Sequence, residues 1–355
     1  MHLRSFIILI VLQCCFSLPI EAQSFIPRSY TAYKLDDTLK IDGLAEEKAW
    51  QLAPWSADFT DIEGELMPDY KTQLKMLWDA QHLYIYVRIE EPHIWGTLKQ
   101  RDTVIFYNND FEMFIDPDGD THNYMELEIN ALNTVWDLFL TKPYRENGKI
   151  LDHWDIKGLK SAVAYQGTLN DPSDIDTSWS LEIAIPWEAL TEGGGPLPEN
   201  NFWRINFSRV QWQFDLVENH YQRKKDSSGQ YVAESNWVWS PQGVINMHEP
   251  EHWGYVYFSS KPISQQLDEV FKIPKDEKIK WKMYQLYRAQ KAYYHKQQHW
   301  ATDLKSLHPE PLTVEGELLQ PRLEVHTTGW NLTIRSPFTS DDLIIREDGN
   351  FLTNR

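Results

Sequence analysis

Acidic and amide side chains recur at alternate positions within residues 108–140. Glu112 lies in one alternating run, and Glu126, Glu128 and Asn130 lie in the next, with a Pro-Asp-Gly turn between the runs. Because alternate residues of a strand lie on the same face of a sheet, two antiparallel strands here would bring these side chains together. Carboxylates are costly to bury without partners. The pattern therefore predicts a polar sheet face that contacts water or a polar ligand.

Hydrogen-bond donors and aromatic rings are available near this face. Arg204 and Asn206 share a phase on another predicted strand, and Trp95, Phe106 and Tyr107 lie in the connection before the first acidic run. Sugars stack on aromatic rings while their hydroxyls exchange hydrogen bonds with charged and amide groups. We therefore place a ligand site over the polar face, flanked by these rings. The alternative is an internal Glu–Arg network that braces the sheet.

Three aspartates follow the first acidic run with a spacing of two. Asp116, Asp118 and Asp120 form a D-x-D-x-D pattern, and oxygen-only clusters of this kind suit calcium. The helix–loop–helix calcium pattern is not met, because glycine occupies Gly119 rather than the sixth loop position. A structural calcium site and a plain acidic hairpin turn both stay open.

Paired carboxylates also raise the possibility of glycoside hydrolysis. Glu112, Glu126, Glu128, Asp137 and Glu182 all lie at polar positions of predicted strands, and a glycosidase needs two such groups. Nothing in the sequence marks one of them as the acid. Nucleophile-elbow, zinc-protease, phosphate-loop and dinucleotide motifs are absent from the sequence, so no organic cofactor is predicted.

The charge and the N-terminal residues indicate the setting. The 355-residue chain has a formal charge of −18, which disfavours nucleic acid as a partner. Residues 1–22 combine a basic start with a short apolar run, which predicts a secretory signal peptide cut after Ala22. Both cysteines, Cys14 and Cys15, lie in this segment, and no later apolar run is long enough to span a bilayer. We therefore expect an exported protein, periplasmic, cell-surface or extracellular, without disulfides.

Short alternating runs separated by Gly, Pro, Asn and Asp continue to about residue 258. Runs of this length and spacing predict an all-β domain of two packed antiparallel sheets over residues 23–260. Residues 44–53 are the exception and predict a short helix. The strand candidates are Lys71–Trp78, His82–Glu90, Asp110–Ile115, Tyr124–Asn130, Thr134–Leu140, Lys160–Tyr165, Ser178–Pro186, Phe202–Trp212, Asn236–Trp239 and Trp253–Phe258.

The composition changes in residues 261–355. Residues 276–298 contain few helix breakers, carry a basic excess and predict a long amphipathic helix. Its apolar stripe comprises Ile279, Met283, Leu286 and Tyr293. Alternating runs at Arg322–Val325, Trp330–Arg335 and Leu343–Arg346 predict a small sheet. Because the stripe needs a partner, we expect this segment to pack on the sandwich.

The order of several motifs resembles the family 9 carbohydrate-binding modules over residues 30–258. The matching stretches are IDGLAEEKAW, LKMLWDAQHLYIYVRIEEP, NNDFEMFIDPDGDTHNYMELEIN, WSLEIAIPWEAL, FWRINFSRVQW and EHWGYVYF. The resemblance implies a jelly-roll-like β-sandwich, sugar binding between aromatic rings, structural calcium and association with xylan-degrading enzymes.

The resemblance also implies positions for the sugar site. The first clamp tryptophan of the family falls at Phe106 or Tyr107, and the second falls near Met247. The strand glutamate of the family matches Glu112, whereas its sugar-contacting arginine falls at Glu128.

Three function classes follow from the sequence. The favoured one is an exported, non-catalytic carbohydrate-binding protein that takes mono- or oligosaccharides, including chain ends, alongside glycan-degrading enzymes. The alternatives are a glycoside hydrolase that uses the acidic face and a scaffold whose C-terminal segment binds another protein. Glycan binding, release of reducing sugar, or neither would distinguish the three.

Overall fold

The structure, a computed structural model, describes residues 26–193, 197–265 and 269–354. The predicted signal peptide at residues 1–22 lies outside them. The described helices are α1 Lys48–Leu52, α2 Trp187–Leu190 and α3 Lys275–Gln297. The described strands are β1 Ser29–Lys34, β2 Thr60–Asp61, β3 Thr72–Trp78, β4 His82–Glu90, β5 Asp110–Asp116, β6 Tyr124–Asn130, β7 Val135–Leu140, β8 Ile150–Leu151, β9 Lys160–Gln166, β10 Ser178–Pro186, β11 Phe202–Gln211, β12 Phe214–Val217, β13 His220–Arg223, β14 Ser235–Val238, β15 Gly254–Pro262, β16 Thr313–Val314, β17 Glu317–Leu318, β18 Arg322–His326, β19 Gly329–Arg335, β20 Asp342–Arg346 and β21 Phe351–Asn354.

Two halves of one hydrogen-bonded sheet form the layers of a β-sandwich. The strand order is β8-β7-β6-β5-β11-β15-β1-β3-β4-β10-β9, and β14 and β2 extend from β11. The sequence prediction of a sandwich followed by a helix and a small sheet is confirmed. The sheet is mixed rather than purely antiparallel, because β1 runs parallel to both β15 and β3. No hairpin fixes the direction of β1, since long stretches of chain separate it from both partners.

The core lies between the two layers and follows the two-residue period of the strands. Phe111, Met113 and Ile115 of β5 are buried in the same cluster as Leu181 and Ile183 of β10. Fully burying an apolar side chain of this size contributes about 1.5–3 kcal/mol. The intervening residues of β5 point away from this core and carry the acidic groups.

The short helix begins later than the sequence predicts. It spans Lys48–Leu52 rather than residues 44–53, and it is anchored by Trp50, whose Nε1 donates to Glu182 Oε1 at 2.8 Å. Glu182 also accepts the backbone N–H of Gly43 at 3.0 Å. The carboxylate of Glu182 is therefore committed to holding this helix, and it does not belong to the acidic cluster described below.

The C-terminal segment has its own core. Ile279, Met283 and Leu286 of α3 pack with Trp330 and other residues of the antiparallel sheet β18–β21. The predicted stripe is confirmed at these three positions, whereas Tyr293 is only half-buried. The apolar stripe thus has its partner within the segment, and not on the sandwich.

Polar contacts join this segment to the sandwich. Lys291 pairs with Glu146 at 2.7 Å, and the Tyr255 hydroxyl donates to Glu277 at 2.8 Å. The backbone N–H of Phe351 donates at 3.1 Å to the carbonyl of Asp120, in the loop that carries Asp116, Asp118 and Asp120 (the aspartate loop). Among the described helices, none is long and apolar enough to cross a membrane.

Candidate functional site

A pocket of about 380 Å³ opens on the outer face of β5, β6 and β7. Four glutamates, Glu112, Glu126, Glu128 and Glu234, line it together with aromatic, asparagine, histidine and methionine side chains. We call it the acidic pocket. The side chains that form its walls include Phe106, Phe114, Trp136, Tyr144, Met247 and His248.

Strand register explains why the acidic residues meet. Glu112 of β5 lies opposite Glu128 of β6, and Ser208 of β11 lies opposite Glu112 on the other side. Trp136 of β7 lies opposite Glu128, so an aromatic ring stands next to the carboxylates. Directly opposed residues have Cβ atoms about 4.5–5.5 Å apart, which places these side chains in mutual contact range.

Loops cover the polar face that the sequence predicts to be open. Only 5% of Glu112 and 2% of Glu128 are exposed, because the segments that carry Tyr144 and His248 fold over the sheet. Burial, with the nearby charge of Glu234, raises the pKa of Glu112 to about 7, and burial among neighbouring carboxylates raises the pKa of Glu128. The backbone N–H of Phe106 donates to Glu128 at 2.9 Å, which partly offsets the effect of burial on the pKa of Glu128.

His248 is a neutral wall of the pocket. Burial and the nearby charge of Arg145 lower its pKa to about 3. Its Nδ1 lies 2.9 Å from the hydroxyl of Tyr124, and its Nε2 lies 4.0 Å from Glu126. Because the imidazole of His248 is neutral at neutral pH, this close pair is not an ion pair there.

Basic side chains do not balance the acidic pocket. Within the described part of the chain, no lysine or arginine lines it. Arg145 lies behind His248, but its guanidinium pairs with Glu249 at 2.6 Å and with Glu251 at 2.9 Å. The pocket therefore presents mainly carboxylates and rings, with the amides of Asn236 and Asn246 as neutral donors. Ligand groups that donate hydrogen bonds or carry positive charge suit its carboxylates.

The predicted aromatic flank is divided between two cavities. Phe106 lines the acidic pocket, whereas Trp95 and Tyr107 line a separate cavity of about 410 Å³. Trp95 is buried and stacks on Tyr221 with ring centroids 6.1 Å apart. Tyr107 is 44% exposed and lies under the guanidinium of Arg223 at 4.3 Å. Adjacent residues in one short turn thus serve different surfaces.

Arg204 and Asn206, predicted as donors to the polar face, are used elsewhere. Arg204 donates to the carbonyls of Glu251 at 3.0 Å and Trp253 at 3.1 Å, so its guanidinium holds the loop before β15. The side chain of Asn206 pairs with the backbone of Ser240 in both directions, at 2.9 and 3.0 Å. Both side chains therefore brace backbone segments of the sandwich, through carbonyl and amide groups rather than through the Glu–Arg network of the alternative.

Asn130 has a bracing role at the end of β6. Its Nδ2 donates to the carbonyl of Leu98 at 2.9 Å, and its Oδ1 accepts the backbone N–H groups of Leu132 and Thr134, each at 3.0 Å. The fully buried amide therefore closes the turn between β6 and β7 and does not reach the acidic pocket.

The aspartate loop has an internal cation. One carboxylate oxygen from each of Asp116, Asp118 and Asp120 lies within 4.8 Å of the others, as a calcium site requires. However, the buried ammonium of Lys280 donates to the carbonyl of Gly119 in the same loop. Both oxygens of Asp116 also accept backbone N–H groups of the loop at 2.9 Å. Calcium at this loop stays a prediction, and any ion there would share the loop with Lys280.

A wider cleft elsewhere lacks ring surfaces. It measures about 980 Å³, lies near Arg101, Asp155 and Lys157, and has no aromatic residue among its described lining. Asp137, predicted on the polar face, lies next to this region on the core side of β7, where it pairs with Arg101 and accepts the N–H of Ile156 at 2.5 Å. It therefore does not join the acidic pocket.

Several pocket residues were not predicted. Trp136 escapes prediction because the sequence places its neighbour Asp137 on the polar face, and alternation then directs Trp136 into the core. Tyr144 and His248 lie in loops without periodic pattern, and their rings are 4.3 Å apart at the pocket mouth. The second predicted clamp position, Met247, does line the pocket, and its sulfur lies 3.2 Å from the side-chain nitrogen of Gln242.

Comparison with known proteins places this geometry in a family. The family described as Carbohydrate family 9 binding domain-like matches residues 41–258. No curated protein matches the chain.

The solved structures that match this chain are distant in sequence. A candidate carbohydrate-binding protein from Bacteroides uniformis ATCC 8492 is 14% identical, with a TM-score of 0.49 over 66% of this chain and 100% of that chain. A family 9 carbohydrate-binding module from Caldicellulosiruptor kristjanssonii has been solved with cellotriose and with glucose. Both structures are 15% identical to this chain and cover 100% of their own chain; their TM-scores are 0.41 over 69% and 0.42 over 68% of this chain. The family match extends over more than half of the chain, from before α1 to β15. This chain therefore belongs to the carbohydrate family 9 binding domain-like family.

Proposed function

We propose that this chain is an exported, non-catalytic carbohydrate-binding protein that holds a sugar in the acidic pocket. The observation that carries the proposal is the pairing of ring surfaces with buried hydrogen-bond acceptors in one cavity. Phe106, Trp136 and Tyr144 offer faces for stacking, and Glu112 offers a carboxylate at the floor. Family membership supports the same ligand class.

The size of the pocket favours the end of a glycan. A volume of about 380 Å³ lies near the lower end of small-ligand sites. The site is enclosed by the loops that carry Tyr144 and His248, so a chain end fits it better than the middle of a long polymer. We infer a role in the capture of plant-type polysaccharides such as xylan, beside enzymes that degrade them.

A binding experiment separates the three function classes. The chain from residue 23 onward is applied to a glycan array, and hits are measured by titration calorimetry with cello- and xylo-oligosaccharides. We expect binding without release of reducing sugar over a long incubation. Release of reducing sugar that Glu112→Gln abolishes would establish the hydrolase instead, and an array without any hit would leave only the scaffold.

Two adjacent residues identify the cavity that binds the sugar. We expect Phe106→Ala to weaken sugar binding by about tenfold, or about 1.4 kcal/mol, through loss of a stacking surface. Tyr107→Ala is the matched control, because its ring lines the other cavity, and its affinity should stay within about twofold of wild type. Calorimetry measures both affinities, and thermal melting confirms that both variants are folded. If Tyr107→Ala weakened sugar binding more than Phe106→Ala, the sugar site would lie in the second cavity.

Export is tested at the N-terminus. When the full chain is produced in a bacterial host with a general secretion pathway, we expect the exported protein to begin at Gln23. N-terminal sequencing of the periplasmic fraction measures this. A chain that stays in the cytoplasm with Met1 intact would contradict the proposed localisation.

A further inference from the structure

Three buried carboxylates converge at the floor of the acidic pocket. Asp110, Glu112 and Glu128 each offer one oxygen, and these oxygens all lie within 4.8 Å of one another. Asp110 is completely buried, directly behind Glu112 on the same face of β5. Two oxygens on one calcium ion, each at 2.3–2.6 Å, are separated by at most about 5 Å. The spacing therefore fits a single shared ion.

The deepest of these carboxylates has no hydrogen-bond partner. Neither oxygen of Asp110 accepts a hydrogen bond, although the backbone amide of Val210 lies near it. One oxygen of Glu126 is also buried without a partner, and the buried hydroxyl of Ser208 lies next to the carboxylate of Glu112. Buried polar atoms in folded proteins are nearly always satisfied by protein, water or an ion. A concentration of buried carboxylate oxygens without partners at one point favours an electropositive ligand.

In the described lining of the pocket, no basic side chain supplies such a group. As described above, basic residues are absent from the described lining of the pocket, and His248 is neutral. The contrast with the aspartate loop is direct, because there Lys280 brings an ammonium to the cluster. At the pocket floor, an oxygen-only set with three carboxylates matches the ligand preference of hard divalent cations.

We propose that Asp110, Glu112 and Glu128 bind a divalent, oxygen-preferring cation of the calcium class at the floor of the acidic pocket. The hydroxyl of Ser208, which lies opposite Glu112 in the strand register, is a fourth oxygen at the same place. Glu112 and Glu128 line the open pocket while Asp110 lies behind them, so the ion has protein on one side and the cavity on the other. The next step rests on the proposed function: hydroxyl groups of the bound sugar coordinate the ion on its open side. Sugar binding is then calcium-dependent.

The test compares two calcium sites within one chain. Thermal melting and calorimetry are run with calcium chloride, with magnesium chloride and with a chelator on wild type, Glu128→Gln and Asp118→Asn. We expect calcium to raise the melting midpoint of wild type and of Asp118→Asn by a few degrees and to leave Glu128→Gln unchanged. Asp118→Asn is the matched control, because it removes a carboxylate from the aspartate loop only.

Terbium provides a second readout at the same place. Terbium ions occupy calcium sites and emit when a nearby tryptophan is excited, and Trp136 lines the acidic pocket. We expect sensitised emission in wild type and in Asp118→Asn, and loss of most of it in Glu128→Gln and in Asp110→Asn. Both pocket substitutions replace a buried carboxyl group with a neutral amide of the same size, so melting in chelator should show folded protein.

The outcomes test the cation site and the sugar-binding function separately. Sugar affinity that falls about tenfold in chelator, together with the calcium shift, supports both proposals. A calcium shift without sugar binding in either condition overturns the proposed function and leaves the cation site standing. The cation site is overturned if the calcium shift persists in Glu128→Gln and disappears in Asp118→Asn. It is also overturned if calcium at millimolar concentration has no effect on melting. In both cases the sugar titration still tests the proposed function.

Discussion

Replacing Arg145 with methionine is expected to lower the free energy of unfolding by about 3–5 kcal/mol. The guanidinium of Arg145 lies 2.6 Å from Glu249 and 2.9 Å from Glu251, and both carboxylates are buried. Burial raises the pKa of a carboxyl group, yet the charges of Arg145 and Arg288 hold the pKa of Glu251 below its usual range. Removal of Arg145 would leave two buried carboxylates to share Arg288, and uncompensated buried charge is strongly destabilising.

Arg335→Met is the matched control for this prediction. Arg335 also pairs with a carboxylate, Asp342 at 3.2 Å, but 62% of the arginine side chain is exposed. An exposed pair contributes about 0–1 kcal/mol because water and salt screen it. Urea unfolding of both variants, extrapolated linearly to water, measures the difference. If the two substitutions cost the same, the cluster around Arg145 does not stabilise the fold in the way we infer.

The Arg145 cluster also connects the C-terminal segment to the pocket. Tyr144, next to Arg145, and His248, next to Glu249, form the mouth of the acidic pocket. Arg288 of α3 reaches the same two carboxylates, with Glu251 at 2.5 Å. The helix outside the family match thus holds the two loops that shape the pocket. This gives residues 261–355 a structural reason to accompany the sandwich.

Strand alternation allowed the two faces of β5 and β6 to be predicted. The period of two is fixed by the backbone, so Phe111 and Met113 enter the core while Glu112 and Glu128 leave it on the other side. The same rule failed at Asp137, because the register of β7 depends on the turn that precedes it. A shift of one residue moves every side chain to the opposite face. That turn carries no pattern from which its register could be predicted.

The covering of the polar face could not be predicted. Tyr144 and His248 are about a hundred positions apart in the chain and meet only in three dimensions. Loops follow no hydrophobic period, so neither their path nor their contact with a sheet can be inferred from spacing. The separation of Phe106 from Tyr107 has the same origin, because a short turn can direct adjacent side chains to different surfaces. The ammonium of Lys280 in the aspartate loop is likewise a long-range contact.

The second large effect is a loss of stability in mild acid that depends on His248. In the folded chain, burial and Arg145 lower the pKa of His248 to about 3, whereas an unfolded histidine titrates near pH 6.5. Between about pH 6.5 and pH 3, His248 is therefore protonated in the unfolded chain but not in the folded chain. The stability contribution of the neutral imidazole is complete above pH 6.5 and declines as the pH falls. By pH 5 the loss attributable to this one group is about 2 kcal/mol.

Urea unfolding at pH 7 and pH 5 isolates the effect when wild type is compared with His248→Gln. His252 also has its pKa lowered, to about 4, mainly by burial, so wild type loses stability through both histidines. His248→Gln removes only the contribution of His248. We therefore expect the decrease in the free energy of unfolding between pH 7 and pH 5 to be about 2 kcal/mol smaller in this variant than in wild type. His153→Gln is the control, since 93% of the His153 side chain is exposed and its removal should leave the pH dependence unchanged. Equal acid sensitivity in wild type and both variants would mean that His248 is protonated without cost, and that the neighbouring loops do not bury its imidazole.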